Sequence, residues 1–132
     1  RIAEHLREHG AEADLGLTAD GRIPGLDHER AKVDADGIGA ADVVLVPLED
    51  GDRAAALAEM GKTELVVDLN PLSRSARAAS VPIVDNLLRA IPNLTAHAEE
   101  LAGADPDTLE AIVDAFDADA ALSAAEDRIR DV

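Results

Sequence analysis

Two apolar, β-branched runs lie one crossover apart in this chain: Asp42-Val43-Val44-Leu45-Val46-Pro47-Leu48 and Glu64-Leu65-Val66-Val67-Asp68-Leu69. Continuous runs of this kind, without polar alternation, suit strands covered on both faces of a parallel sheet. Parallel neighbours cannot be joined by a tight turn and need a crossover, usually a helix. Here the turn Glu49-Asp50-Gly51-Asp52 and a helix over residues 53–60 supply one. The pattern predicts a βαβ unit, with the first run as a central parallel strand. A third short strand follows over residues 81–84, where Pro82 suits a strand start or an edge position. The fold class expected is therefore α/β: a three-layer, Rossmann-like domain with a mainly parallel sheet and a helical C-terminal tail. One domain is the prior for 132 residues, divided here into an α/β body over 1–103 and a helical extension over 104–132.

The flanking segments are weaker in pattern. Ile2, Leu6 and His9 fall at helical spacing, with Gly10 as a stop, and a short strand is expected over 13–17. Residues 18–41, rich in Gly, Asp and Pro, read as a long loop, and 70–80 as a polar loop. Asp85-Asn86 can cap a helix carrying Leu87, Leu88 and Ile91. Asp105 can cap another, with Pro106 at its first position and Leu109, Ile112, Val113 and Phe116 on one face. The last helix, over 119–130, is Ala-rich and weakly apolar, suited to the surface or to a partner subunit.

Charge narrows the partners. Lys plus Arg number 12 against 28 Asp plus Glu, a formal charge of −16, which argues against nucleic acid and anionic membranes. Only two lysines occur, Lys32 and Lys62, and Phe116 is the sole aromatic. That composition suggests a proteome adapted to concentrated salt, where screening tolerates self-repulsion; an ordinary acidic protein is the alternative. Cysteine is absent, so disulfides, thiolate metal sites and a Cys nucleophile are excluded. No apolar run approaches the roughly 18 residues of a membrane span, and the expectation is a cytoplasmic protein. The chain opens on Arg1-Ile2-Ala3-Glu4-His5 without a methionine, as a piece of a longer polypeptide would.

Three short signatures fail on context. Gly61-Lys62-Thr63 has the ending of a phosphate-binding P-loop, but Ala56 stands where the earlier glycine is needed and a strand follows instead of a helix. Gly37-Ile38-Gly39 precedes its strand, whereas a dinucleotide fingerprint follows one; it reads as a turn. Asn93-Leu94-Thr95 matches a glycosylation acceptor by chance.

The informative segment is the loop after Val67, because ligands on open α/β sheets bind beyond the carboxyl ends of the strands. In Asp68-Leu69-Asn70-Pro71-Leu72-Ser73-Arg74-Ser75-Ala76-Arg77, Arg74 and Arg77 are fixed cations, and Asn70, Ser73 and Ser75 are neutral donors suited to phosphate oxygens. Asp68 can take a ribose hydroxyl, an adenine amine or a metal. A solvated loop with its arginines paired to nearby carboxylates is the plain alternative. Glu49, Asp50 and Asp52 can hold Mg²⁺ or an ammonium group, or simply favour a helix N-terminus. Asp85 and Asn86 can bind ligand or only cap. Arg22-Ile23-Pro24-Gly25-Leu26-Asp27-His28-Glu29-Arg30 offers two arginines for an anionic substrate, with His28 a candidate base.

Four segments, Arg22 to Arg30 above, Val46-Pro47-Leu48-Glu49-Asp50-Gly51-Asp52-Arg53, Asp68 to Arg77, and Ile83-Val84-Asp85-Asn86, together closely resemble the archaeal 4-phosphopantoate–β-alanine ligase (phosphopantothenate synthetase) family. The resemblance runs through nearly all of the chain and covers the C-terminal half of the family. It implies a homodimeric α/β enzyme of coenzyme A biosynthesis that joins 4-phosphopantoate to β-alanine, giving 4′-phosphopantothenate, AMP and diphosphate from ATP through an acyl-adenylate. It also implies ATP contacts at Asp68, Leu69, Asn70, Arg74, Ser75, Asn86 and Leu87, and residues 1–103 become a nucleotide-binding domain. Around that frame the residues suggest Arg74 and Mg²⁺ as charge neutralisers, Arg22 or Arg30 on the 4-phosphate, and Glu49 or Asp50 on the β-alanine amine or the metal. Arg74, Asp50 and His28 are the catalytic candidates, and the metal ligands stay open. The competing expectation is a non-catalytic ATP-binding or dimerisation fragment.

Overall fold

The computed structural model describes residues 1–12, 15–27, 29–48 and 51–131. Helix α1, Ile2–Glu8, buries none of its side chains, and Gly10 at φ 91° takes the left-handed conformation that ends it. No strand forms over residues 15–17; Ala13 and Asp14 lie outside the described residues. The physical reason is that the amides of this segment are spent elsewhere. Those of Gly16, Leu17, Thr18 and Ala19 all donate to the Asp34 carboxylate, at 2.5, 3.2, 3.0 and 2.6 Å, so they have no ladder to join.

The expected long loop over 18–41 is instead organised. β1, Gly21–Arg22, pairs antiparallel with β2, Lys32–Val33, with Gly21 opposite Val33 and Arg22 opposite Lys32. A 3₁₀ turn at Glu29–Ala31 leads into β2, and a kinked turn at Ala35–Gly39 follows it. Two-residue strands are too short to leave a period in the sequence, yet this ribbon buries Ile23, Ala31 and Val33.

The main sheet follows as β3, Val43–Val46, β4, Thr63–Val67, and β5, Val81–Ile83, all parallel in the order β3-β4-β5. Helix α2, Gly51–Glu59, makes the β3–β4 crossover and α3, Arg74–Ala78, lies in the β4–β5 connection. The βαβ reading holds, but the assignment of the central strand is corrected: β4 is central and β3 is an edge. β3 buries Val44 while leaving Val43 58% and Leu45 42% exposed, so its unbroken apolar run faces the core on one side only. Pro82 sits on the opposite edge strand, as its missing N–H requires. Val44, Ala56 and Leu57 meet Ile23 and Val33 of the ribbon in one core, flanked by Leu26, Ile38, Ala41 and Val46.

The loop expected over 70–80 also contains structure. Ser73 caps α3 by accepting from the Ala76 amide at 3.0 Å, so residues 74–78 are helical. Beyond the sheet, α4 spans Leu87–Leu101, running through Pro92, with Asn86 capping it by accepting from the Leu88 amide at 2.8 Å. α5, Pro106–Asp114, has Asp105 as its cap and Pro106 at its start. α6, Ala118–Arg130, rests on β5 and buries Leu122. Leu109, Ile112, Val113 and Phe116 remain exposed. Among the described residues no helix is long and apolar enough to cross a membrane.

Candidate functional site

The segment after β4 is shaped by its own polar side chains. Asp68 ends the strand; its Oδ1 accepts from the Asn70 amide at 2.9 Å and its Oδ2 from the Ser73 hydroxyl at 2.5 Å. Asn70 Oδ1 accepts in turn from the Leu72 amide at 3.0 Å. Each is a short-range side-chain turn of the kind Asp and Asn favour. They fold the segment back over the sheet edge and deliver Arg74 at the start of α3. The plainest role of Asp68 and Ser73 is thus to build the loop, leaving Arg74 exposed.

Three strand ends share one cleft. A cavity of about 310 Å³ is lined by Pro47 and Leu48 after β3, by Val67, Asp68 and Leu69 at the end of β4, and by Asp85, Asn86 and Leu87 after β5. Five of the residues singled out in the sequence, Asp68, Leu69, Asp85, Asn86 and Leu87, therefore meet there. Asp85 is held by Arg89, whose Nε donates to Oδ1 at 2.8 Å and whose Nη2 also contacts it, while the Asn86 amide donates at 2.7 Å. Those donors, Arg89 first, keep the Asp85 carboxyl below the usual carboxylate range. It is a fixed anion at the cleft rim.

Arg74 and Ser75 stand beside this cleft rather than in its lining. Ser75 is fully buried, and Arg74 is 80% exposed with Nη1 donating to Asp52 Oδ1 at 3.0 Å. Asp52, in the first turn of α2, also faces Arg30 at 3.7 Å. One carboxylate thus links an arginine expected at the nucleotide with one expected at the substrate. The packing at Gly51 is close: a Cβ there would lie a tight 3.3 Å from Arg74 Cβ and 3.5 Å from Ser75 Oγ.

Arg22 projects from β1 directly opposite Lys32, and Lys32 pairs with Glu29 at 2.9 Å. Glu49, Asp50 and His28 lie outside the described residues. Lys62 is structural: its ammonium donates to the carbonyls of Gly39 and Ala41 at 2.9 and 2.6 Å, tying the kinked turn to the β4 start. Among the described residues no three His, Asp or Glu side chains converge as a metal cage. Sequence reasoning passed over Pro47 and Leu48 as cleft lining and Asp34 as a loop organiser. The first two carried a usable signal, since they directly follow the carboxyl end of a parallel strand, where ligands on open α/β sheets bind. Asp34 carried none, because its four donors lie 15 to 18 residues away.

An open parallel sheet with a cleft across its strand carboxyl ends defines an α/β domain of Rossmann-like class. The chain belongs to the phosphopantothenate/pantothenate synthetase family, whose model matches residues 1–132. It is 53% identical over 131 residues to the 4-phosphopantoate–β-alanine ligase of Thermococcus kodakarensis, covering 98% of this chain and 50% of that protein. Against the ligase of the same name from Methanosarcina mazei it is 44% identical over 130 residues, covering 98% and 51%, and against that from Methanospirillum hungatei 49% identical over 100 residues, covering 76% and 40%. The chain spans about half the length of the relatives it matches.

Proposed function

We propose that this chain is the nucleotide-handling half of an ATP-dependent ligase that joins 4-phosphopantoate to β-alanine in coenzyme A biosynthesis. The observation that carries this reading is the cleft spanning Pro47–Leu48, Asp68–Leu69 and Asn86–Leu87, with Arg74 beside it, in a chain whose relatives carry that ligase name. ATP would lie across the strand ends, its phosphates toward Arg74.

The chemistry asks little covalent help of the protein. The pantoate carboxylate attacks the α-phosphorus of ATP and diphosphate leaves, giving a mixed anhydride. The neutral amine of β-alanine then attacks the acyl carbon, AMP departs with the bonding pair, and the amine's extra proton passes to solvent or a base. Holding the carboxylate and the α-phosphate in line, and neutralising the leaving diphosphate, are the main accelerating terms. Arg74 supplies a cation for the second. Mg²⁺ belongs in this proposal on the nucleotide phosphates, since Mg²⁺ commonly takes one or two protein carboxylates plus phosphate oxygens and water. Asp50 and His28 stay as proposed amine-orienting and base residues, and Glu49 as a substrate contact.

The proposal includes a homodimer, for which the exposed stripe of Leu109, Ile112, Val113 and Phe116 on and after α5 provides apolar surface. Because the chain spans half of its relatives, a second reading is a binding module without turnover. Calorimetry with ATP, followed by an assay for AMP with both substrates present, separates the two. ATP binding with AMP release supports the ligase; ATP binding alone supports the module. Arg74→Ala should weaken ATP binding roughly tenfold or more, the size of a lost charge-assisted contact, and unchanged affinity would remove Arg74 from the site.

A further inference from the structure

The two faces of the main sheet are covered unequally. The chain advances in one direction across it, from β3 through α2 to β4 and through α3 to β5. Right-handed crossovers in one direction set their helices on the same face, and α2 and α3 pack on each other accordingly. On that face Val44, Glu64, Val66 and Pro82 are buried, with Ala56 and Leu57 of α2 joining Val44 in the core. Successive strand side chains alternate, so the opposite face carries Val43 and Leu45 of β3, Leu65 and Val67 of β4, and Val81 and Ile83 of β5. There Val81 and Ile83 are half-buried and Val67 is buried, whereas Val43 and Leu45 are exposed.

β3 is open in a second way. It pairs with β4 on one side, and among the described residues no strand pairs with its other side. Val43–Val46 is wholly apolar, without the charge or bulge that usually protects a free edge. Parallel sheets are otherwise covered on both faces. A strand beside β3 together with a helix over Val43 and Leu45 meets both needs. A second copy joined edge to edge would pair the backbone and leave the face bare, and a helix from a second copy would cover the face and leave the edge.

We infer that β3 is an inner strand of the whole ligase, in which the half that this chain does not span adds a strand to the free edge of β3 and lays a helix over Val43 and Leu45. The inference rests on family membership and not on the assignment of ATP. The 131 matched residues make up 50% of the Thermococcus kodakarensis ligase, so about as many lie outside the match. Doubly wound sheets are built from two βαβαβ halves, and β3-α2-β4-α3-β5 is one of them. The added half also gives the unbroken apolar run of β3 its second covered face. Strand order then reverses beside β3, and Pro47 and Leu48 border the switch point where open α/β sheets take their ligands. The cavity of about 380 Å³ over Val44, Leu45, Pro47 and Leu48 is walled on its open side by the added half.

The chain contains no cysteine, so Val43→Cys and Leu45→Cys each place one thiol on this face. Labelling is compared between the chain alone and a chimera in which the chain replaces the matching half of the Thermococcus kodakarensis ligase, with the modified peptide read by mass spectrometry. Both thiols should react at least about tenfold more slowly in the chimera, because access governs thiol labelling. Equal rates in the two proteins overturn the inference. Protection already present in the chain alone, and rising with its concentration, assigns the face to a second copy and overturns it too. Hydrogen exchange on the unaltered Thermococcus kodakarensis ligase decides the matter if the chimera does not fold. Its segment matching Val43–Val46 should exchange as slowly as that matching Val66 and Val67, whereas in the chain alone β3 should exchange at least about tenfold faster than β4. Faster exchange of the β3 segment than of the β4 segment in the ligase overturns the inference.

Discussion

Arg74 Nη1 donates to Asp52 Oδ1 at 3.0 Å, so the arginine assigned to nucleotide phosphates is engaged by a carboxylate. The pair is exposed, and exposed ion pairs contribute only about 0–1 kcal/mol. Asp52 is therefore a weak anchor for Arg74. Its charge, however, lies where several phosphate charges would arrive, and each such repulsion is on the order of 1 kcal/mol in water at contact range. Repulsion outweighs anchoring. Asp52→Asn should tighten ATP binding about three- to tenfold at low salt and less at high salt, where screening shortens the reach of charge. Weaker binding by calorimetry would instead make Asp52 a positioning residue for Arg74.

Asp34 holds residues 16–19 by accepting four backbone donors, and those bonds, led by the Gly16 and Ala19 amides, lower its carboxyl from 3.8 to about 2. A depressed folded-state value means that the stabilisation is present above the unfolded value and is lost as pH falls from about 3.8 through about 2. Asp34→Ala should lower the melting temperature and release the amides of 16–19 to fast hydrogen exchange, with Asp34→Asn intermediate because its single carbonyl oxygen serves fewer donors. Unchanged exchange in this segment would show that the clasp does not hold it.

The readable parts of the fold were those where one residue's preference decides the outcome locally. Asp105 with Pro106, Asn86 before Leu87, and the runs around Val44 and Val66 gave a cap, a cap and two strands in the right order. The errors share another origin. Whether Val43 and Leu45 face a neighbour depends on which strand lies beside them, and the run looks alike at an edge or in the centre. The ribbon pairing Arg22 with Lys32, and the Asp34 clasp, are contacts between segments that leave no period in either. At the site, Asp68, Leu69, Asn86 and Leu87 were legible because strand ends converge by topology. Asp52 as a link between Arg30 and Arg74 was hidden, since it depends on how α2 and α3 pack.

Lys62 separates a structural lysine from a phosphate-binding one. Its two contacts to the Gly39 and Ala41 carbonyls are charge-assisted and partly buried, and losing such bonds costs about 1.5–3 kcal/mol. Lys62→Met should lower stability in urea by roughly that amount while leaving ATP affinity unaltered. The reverse result, lost ATP binding at unchanged stability, would return Gly61-Lys62-Thr63 to the nucleotide site.

Glu64 lies in the central strand at 0% exposure, and neither carboxylate oxygen completes a hydrogen bond to a described group. Burial pushes its carboxyl above the ordinary value, and the neighbouring Ala58 backbone offsets only part of that shift. A raised folded-state value reverses the sign met at Asp34: the protonated form is the one folding favours, so stability is full below the unfolded value and falls as pH rises through the folded one. The neutral acid is tolerated, while its ionisation is paid in lost stability, because an uncompensated charge would sit beneath α2. Glu64→Leu, close in size and needing no partner, should raise stability at pH 8 by roughly 1–3 kcal/mol and flatten the decline above about pH 4.5, the ordinary value for this group. Glu64→Gln should flatten the decline as well but gain less, since its amide stays unpartnered. Urea titrations of the three proteins across pH 4 to 9 read both effects, and a wild-type profile parallel to that of Glu64→Leu would mean that the carboxyl finds a partner in solution.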